Sequence, residues 1–292
     1  MDSPKRKISV LEKAYNATAT SLKNNSSLFI PFLIFFIFDL ISVSILYLAP
    51  RLPLSLILGP PIRTFWGERF LHYPLNFLLL PKLASLARMA LSVFLGALLT
   101  GMAVALVWEI YNKKHLKLKT ALGVALKRYF DLFAIVFIFT SLFYVLQKTL
   151  TLGLMHYFIT GHHKLLFFGP AAWLGPFLIV LNFILAVLIQ SAFIYAIPLI
   201  IIEKEKLIKS LVKSFVLFKK LCIPTLILVG LPMLLYVPIV ILISKSDFLI
   251  MQLFPESVLL VLVLGCVVSS LVIDLIVTVS TTWLYLIRRE QL

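Results

Sequence analysis

LFIPFLIFFIFDLISVSILYLA, residues 28–49, carries a single charged residue, Asp39, in a run otherwise built from apolar and small hydroxyl side chains. A helix needs about 20 such residues to cross roughly 30 Å of hydrocarbon at about 1.5 Å per residue. This run is long enough. The chain before it is basic and polar to Ser27, the run exceeds the length of a signal-peptide core, and no A-x-A pattern follows it. It therefore reads as an uncleaved first span. Sequons at Asn16, Asn24 and Asn25 precede it and are accidental if the N-terminus is cytoplasmic.

Five more segments pass the same length test: Leu83 to Trp108, Leu132 to Leu154, Phe177 to Ile202, Leu221 to Ile243 and Val258 to Leu286. The fourth apolar run begins near Leu165, but Gly169-Pro170 and Gly175-Pro176 are expected to break a helix there, so the span is started after Pro176. The composition agrees, with 61% hydrophobic and 13% charged residues, against roughly 45–50% and about 25% in a soluble domain. No polar stretch is long enough to enclose a core of its own. The expected fold is all-α: a polytopic membrane protein of six spans forming one domain over residues 1–292.

The formal charge of +15 would raise the question of nucleic acid in a soluble protein. Here the bases flank apolar runs, where Lys and Arg report topology and anionic headgroups, and no nucleic-acid-binding fold accompanies them. With the N-terminus inside, nineteen of the 27 bases fall on cytoplasmic pieces around Lys5–Lys23, Lys113–Arg128, Lys204–Lys220 and Arg288–Arg289. The remainder are Arg51, Arg63, Arg69, Lys82, Arg88, Lys148, Lys164 and Lys245, on or near the other side. Both termini are thus expected in the cytoplasm. Pro50 to Lys82 is expected to be an outer loop in the headgroup layer, or one that dips into the bilayer and returns.

A basic amphipathic stretch runs into each odd-numbered span. In KEKLIKSLVKSFVLFKK, residues 204–220, Leu207, Ile208, Leu211, Val212, Phe215 and Phe218 share a face, and the lysines and Ser210 lie largely elsewhere. That spacing suits an interfacial helix on anionic lipid. At an offset of 193, Ser21, Leu28, Ile30, Pro31, Leu33 and Ile34 fall on Ser214, Leu221, Ile223, Pro224, Leu226 and Ile227; at 104, Leu22, Lys23, Leu28 and Phe29 fall on Leu126, Lys127, Leu132 and Phe133. Three parallel repeats follow, at about residues 1–108, 109–202 and 203–292, each an interfacial helix and a hairpin of spans.

The layout, with stretches such as ALKRYFDLF at residues 125–133, resembles the six-helix membrane domain found ahead of the catalytic domain in some bacterial glycerophosphodiester phosphodiesterases and in related bacterial membrane proteins. The resemblance implies a bacterial inner-membrane location. It implies no hydrolysis, because this sequence holds no phosphodiesterase domain.

Asp39 and Asp274 lie near the middles of the first and sixth spans. An ionised carboxylate at that depth costs about 2.5–3.5 kcal/mol, so each needs compensation. The alternatives are a proton, cation or substrate site, or protonated carboxyls hydrogen-bonded between helices. No Lys or Arg is placed at matching depth, and a neutral carboxyl is the expected resting state. Asn182 and Gln190 in span four, with Ser269, Ser270, Thr278 and Ser280 in span six, extend the polar set, with hydrogen bonds between helices as the commoner role. Ala97, Gly101, Ala105, Gly265 and Ser269 mark close helix contacts, and Cys222 and Cys266 read as buried thiols. His156, His162 and His163 lack a neighbouring ligand set, and no metal or cofactor is expected. GxSxG, HExxH, Walker A and dinucleotide motifs are absent. Two classes of function remain foremost, a transport or permease-like protein and a non-catalytic scaffold for lipid or partner proteins, with an intramembrane lipid-modifying enzyme behind them. The paired carboxylates favour transport.

Overall fold

The computed structural model describes residues 4–114, 117–160 and 170–289, and every regular element among them is helical. Helix α1 (Pro4–Asn24) leads into α2 (Ser26–Leu48), the first span. Pro31 sits in the opening turn of its α-helical part, where no backbone N–H is needed. Then come α3 (Leu54–Trp66), α4 (Asn76–Tyr111), α5 (Leu118–Lys127), α6 (Tyr129–Thr160), α7 (Pro170–Phe193), α8 (Ala196–Ile202), α9 (Leu207–Lys220), α10 (Cys222–Leu234), α11 (Val237–Ser244) and α12 (Ser257–Arg289).

Among the described residues, five helical segments are long and apolar enough to cross a membrane: α2, α4, Tyr129–Leu154, Gly175–Ile202 and α12. A sixth is reached by counting α9 and α10, which meet at a 96° bend, as one broken span. The expected continuous helix over Leu221 to Ile243 is not formed. Pro232 and Pro238 each lack the N–H that would bond four residues back, and the chain turns at Leu235 and Tyr236 between them. Pro176, by contrast, lies inside α7 and does not end it, so the fourth span starts earlier than expected. The expected outer loop is also helical. It holds α3, with Pro60 and Pro61 inside it, and the first turns of α4.

The spans close into a ring: α2 packs on α4, α4 on α6, α6 on α7, α7 on α10, α10 on α12, and α12 returns to α2. Spans one and six therefore touch. The second halves of α4 and α12, with α8, form the centre, where Met102 to Val107, Leu199 to Ile201 and Val277 to Thr282 are buried almost without break. Gly101 allows close approach there, since a Cβ on it would stand 2.5 Å from Leu132 Cδ1 of α6.

The three basic helices α1, α5 and α9 gather at one end of the bundle, called here the basic end. Helix α5 lies on α4 and α9 on α8, while α1 lies on the end of α12. Their most buried positions are mostly small, Ala14 and Thr18, Ala121 and Ala125, Ser210 and Ser214, and Leu207 and Leu211 of the face expected to meet lipid pack on the protein core instead. Ser214 Oγ donates to Ala192 O at 2.7 Å, which ties α9 to α7. Ile208, Val212, Phe215 and Val216 of α9 stay exposed.

Candidate functional site

Inside the bundle, three helices bring three charges together. Arg88 of α4 places Nη1 3.1 Å from Asp39 Oδ2 of α2 and Nη2 3.9 Å from Asp274 Oδ2 of α12. Nη2 also donates to Ser270 Oγ at 3.3 Å. The absence of a base at matching depth is thus corrected: α4 starts at Asn76, so Arg88 lies well inside the helix, level with Asp39 and Asp274. Counting it among outer-side bases misplaced it. The signal was legible, because Arg88 falls within the apolar run Leu83 to Trp108, and an arginine there requires a partner.

The two carboxylates are held differently. The Asp39 side chain is 2% exposed, and its contact with the guanidinium is an ion pair without an aligned hydrogen bond. Asp274 stands farther from Arg88, and its side chain is 41% accessible although it lies deep among the spans. It reaches that accessibility by opening into a cavity of about 190 Å³. A guanidinium keeps its proton throughout the physiological range. With both carboxyls ionised, one guanidinium would leave a surplus negative charge, and Asp274 is the carboxyl that opens to the cavity.

The backbone departs from α-helical pitch at both sides of this cluster. Residues Ser92–Gly96 of α4, one turn beyond Arg88, and Val267–Asp274 of α12 are π-helical. Such insertions shift the side chains that follow and recur at functional positions.

The cavity is lined by α2, α4, α6, α7, α8 and α12 and by the Ile194 turn between α7 and α8. Its lining repeats. Ser92, Gly96, Leu99 and Thr100 of α4, Gln190, Ile194, Ile197 and Pro198 of the fourth span, and Asp274, Thr278, Thr281 and Thr282 of α12 share the spacing i, i+4, i+7, i+8. Each set begins with a polar residue. From the odd spans come Pro31, Phe32 and Phe35, and at an offset of 104 Ile135, Val136 and Phe139.

The structure thus places Asp39 and Asp274 on one arginine and Gln190 on the wall of the same cavity as Asp274. Asn182 is not part of that wall, and its Oδ1 is buried without a partner. The hydroxyls of span six mostly serve their own helix and not a neighbour: Ser269 donates to Gly265 O, Ser280 to Val277 O, Thr281 to Val277 O and Thr282 to Thr278 O. Ser270 is the exception, through Arg88. His156 is exposed near the end of α6, and His162 and His163 lie outside the described residues. No group of metal-ligating side chains occurs among the described residues. No family model, curated protein or solved structure matches this chain.

Proposed function

We propose that this integral membrane protein is a transporter of permease type, built from three parallel units around the central cavity, with its basic end in the cytoplasm. The observation that carries the reading is the cavity itself, enclosed by spans from all over the ring and exposing one carboxylate of an otherwise paired charge cluster. A protein that only organised lipid would have no need of an accessible charge at its centre, because burying it costs free energy that a packing role does not return.

Three parallel units are supported by burial in register. Ser21, Ala125 and Ser214, and likewise Leu28, Leu132 and Leu221, correspond at offsets of 104 and 193, and all six are buried. The closing contact of α1 on α12 repeats that of α5 on α4 and of α9 on α8, as a cyclic arrangement requires. Sites between repeats are common in transporters. The orientation rests on the bases, and anionic headgroups at the cytoplasmic face are the partners they suit.

The test is flux in proteoliposomes. Vesicles carrying the full chain should exchange an entrapped small cation faster than empty vesicles and faster than vesicles carrying Asp274→Asn. Equal rates across protons, alkali-metal ions and small organic cations would overturn the transport reading. Reporter fusions after Lys117 and Lys209 should report cytoplasm and one near Glu68 the opposite side; a shared compartment for Lys117 and Glu68 overturns the orientation.

A further inference from the structure

We infer that the central cavity is a binding site for a small organic cation, a primary ammonium group on an apolar or aromatic body. The inference deepens the transport reading, and rests on it for the cavity being a substrate site. Three observations converge on this chemistry.

The first is charge. Among the described residues lining the cavity, Asp274 is the only charged one. Arg88 does not reach the wall. Its guanidinium pairs with Asp39, donates to Ser270 and stands 3.9 Å from Asp274 Oδ2 behind the wall, so the lining itself carries a carboxylate and no cation.

The second is the direction of the hydroxyls. Thr281 Oγ1 donates to Val277 O at 2.6 Å, Thr282 Oγ1 to Thr278 O at 2.7 Å, and Ser92 Oγ to Met89 O at 2.8 Å. Each hydroxyl has one proton, and here each proton is spent on the backbone of its own helix. What these side chains offer the cavity is lone pairs. Gln190, Thr100 and Thr278 on the same wall can donate as well as accept, so the acceptors outnumber the donors without excluding them. Acceptors beside a carboxylate suit a ligand rich in donors, and an ammonium group has three. An anion would meet the Asp274 carboxylate there.

The third is the apolar remainder. Phe32, Phe35, Phe139 and Phe193 lie on the same wall. Aromatic rings accept the apolar body of an amine and attract its charge through their faces. A bare alkali-metal ion would gain little from them. The volume, about 190 Å³, also sets a size. An engineered apolar cavity of about 150 Å³ holds benzene, so this one takes a single ring with a short ammonium arm.

The experiment is binding of radiolabelled benzylammonium to the purified full chain in detergent, with excess unlabelled benzylammonium, benzyl alcohol or benzoate as competitor. Saturable binding is expected, displaced by the cation and not by the neutral or anionic molecule of the same shape. Asp274→Asn should weaken it at least tenfold and Asp274→Glu by only a few-fold. Thr281→Val, which keeps the shape and removes an acceptor, should weaken it measurably in a protein whose melting profile is unchanged. Equal displacement by benzyl alcohol, or full binding by a folded Asp274→Asn protein, overturns the inference. Counterflow of the same probe in proteoliposomes separates the two readings. Binding without counterflow keeps the cation site and overturns transport. Exchange of alkali-metal ions or protons with no benzylammonium binding keeps transport and overturns the cation site.

Discussion

Two clusters of charge link the helices of this protein, one in the middle of the bundle and one at its basic end, and they are built from the same chemistry in different solvents. In the middle, one arginine serves two carboxylates, with hydroxyl support from Ser270. At the basic end, Glu203 and Glu205, just past α8, meet Lys209 and Lys213 of α9 and Arg289 of α12. Tyr285 of α12 donates to Glu203 as well. Both clusters tie several helices. The first rests on a single guanidinium, with Asp39 2% exposed; the second has several partners for each carboxylate, and Lys209 is 63% exposed. The difference teaches where a charge carries consequence: redundancy and solvent make the basic-end cluster tolerant, and their absence makes the central one decisive.

Removing Arg88 should produce the largest effect. Arg88→Met leaves Asp39 and Asp274 facing each other in an apolar interior, and breaking such a pair costs about 3–5 kcal/mol. The variant is expected to lose its folded, monodisperse form in mild detergent, read by size exclusion and thermal melting. Arg88→Met with Asp39→Asn removes the uncompensated charge along with the guanidinium and should recover much of that loss. A single Arg88→Met protein that melts like the wild type would break the comparison.

The two carboxylates should then separate. Asp39→Asn takes away the nearer, fully buried partner, while Asp274→Asn removes one that stands farther off and opens to the cavity. The melting temperature is expected to fall more for Asp39→Asn, and cavity function more for Asp274→Asn. The reverse order would mean that Asp274 is the structural partner of Arg88 and Asp39 the functional one.

How much of this was legible follows from what kind of information each feature needs. A carboxylate inside an apolar run announces itself, so Asp39 and Asp274 were readable, as was the small Gly101. Arg88 was legible in the same way, inside the run Leu83 to Trp108, but it lies near the outer end of that run, and its depth shows only once α4 is seen to begin earlier, at Asn76. The broken fifth span turned on whether two prolines in an otherwise apolar run would be absorbed, which Pro176 was and the pair Pro232 and Pro238 was not. The common spacing of the three cavity faces could not be read at all. Ser92, Gln190 and Asp274 share no residue type, and only their positions on packed helices relate them.

Salt should act chiefly on the basic end. At 1 M ionic strength the Debye length is about 3 Å, so the contacts that Lys209 and Lys213 make from solvent with Glu203 and Glu205 are screened more than that of the buried Asp39 with Arg88. Glu203→Gln is expected to lower the melting temperature slightly at low salt, since Tyr285, Lys213 and Arg289 all converge on that carboxylate. The deficit should shrink as salt is raised. The deficit of Asp39→Asn should persist, and a parallel collapse of both would show that the central cluster is wet.

The smallest effect belongs to Glu205 and Lys213, and it has a definite pH signature. The hydrogen bond from Lys213, followed by that from Lys209, holds the Glu205 carboxyl below its ordinary value of 4.5. The same carboxylate holds the Lys213 ammonium above its ordinary value of 10.5. A depressed carboxyl contributes stability above its unfolded-state value and loses it as pH falls through the folded one; a raised ammonium contributes below its unfolded-state value and loses it as pH rises through the folded one. The pair should therefore be a constant, small asset from about neutral pH outward, fading at both extremes. The difference in melting temperature between wild type and Glu205→Gln is expected to be flat near pH 7, to close in acid below 4.5 and to close again in alkali above 10.5. Both groups lie at the solvent-facing rim, so the plateau should itself decline with added salt. A difference that grows in acid would mean that Glu205 is held protonated by its surroundings, which would place the α8–α9 junction in lipid instead of water.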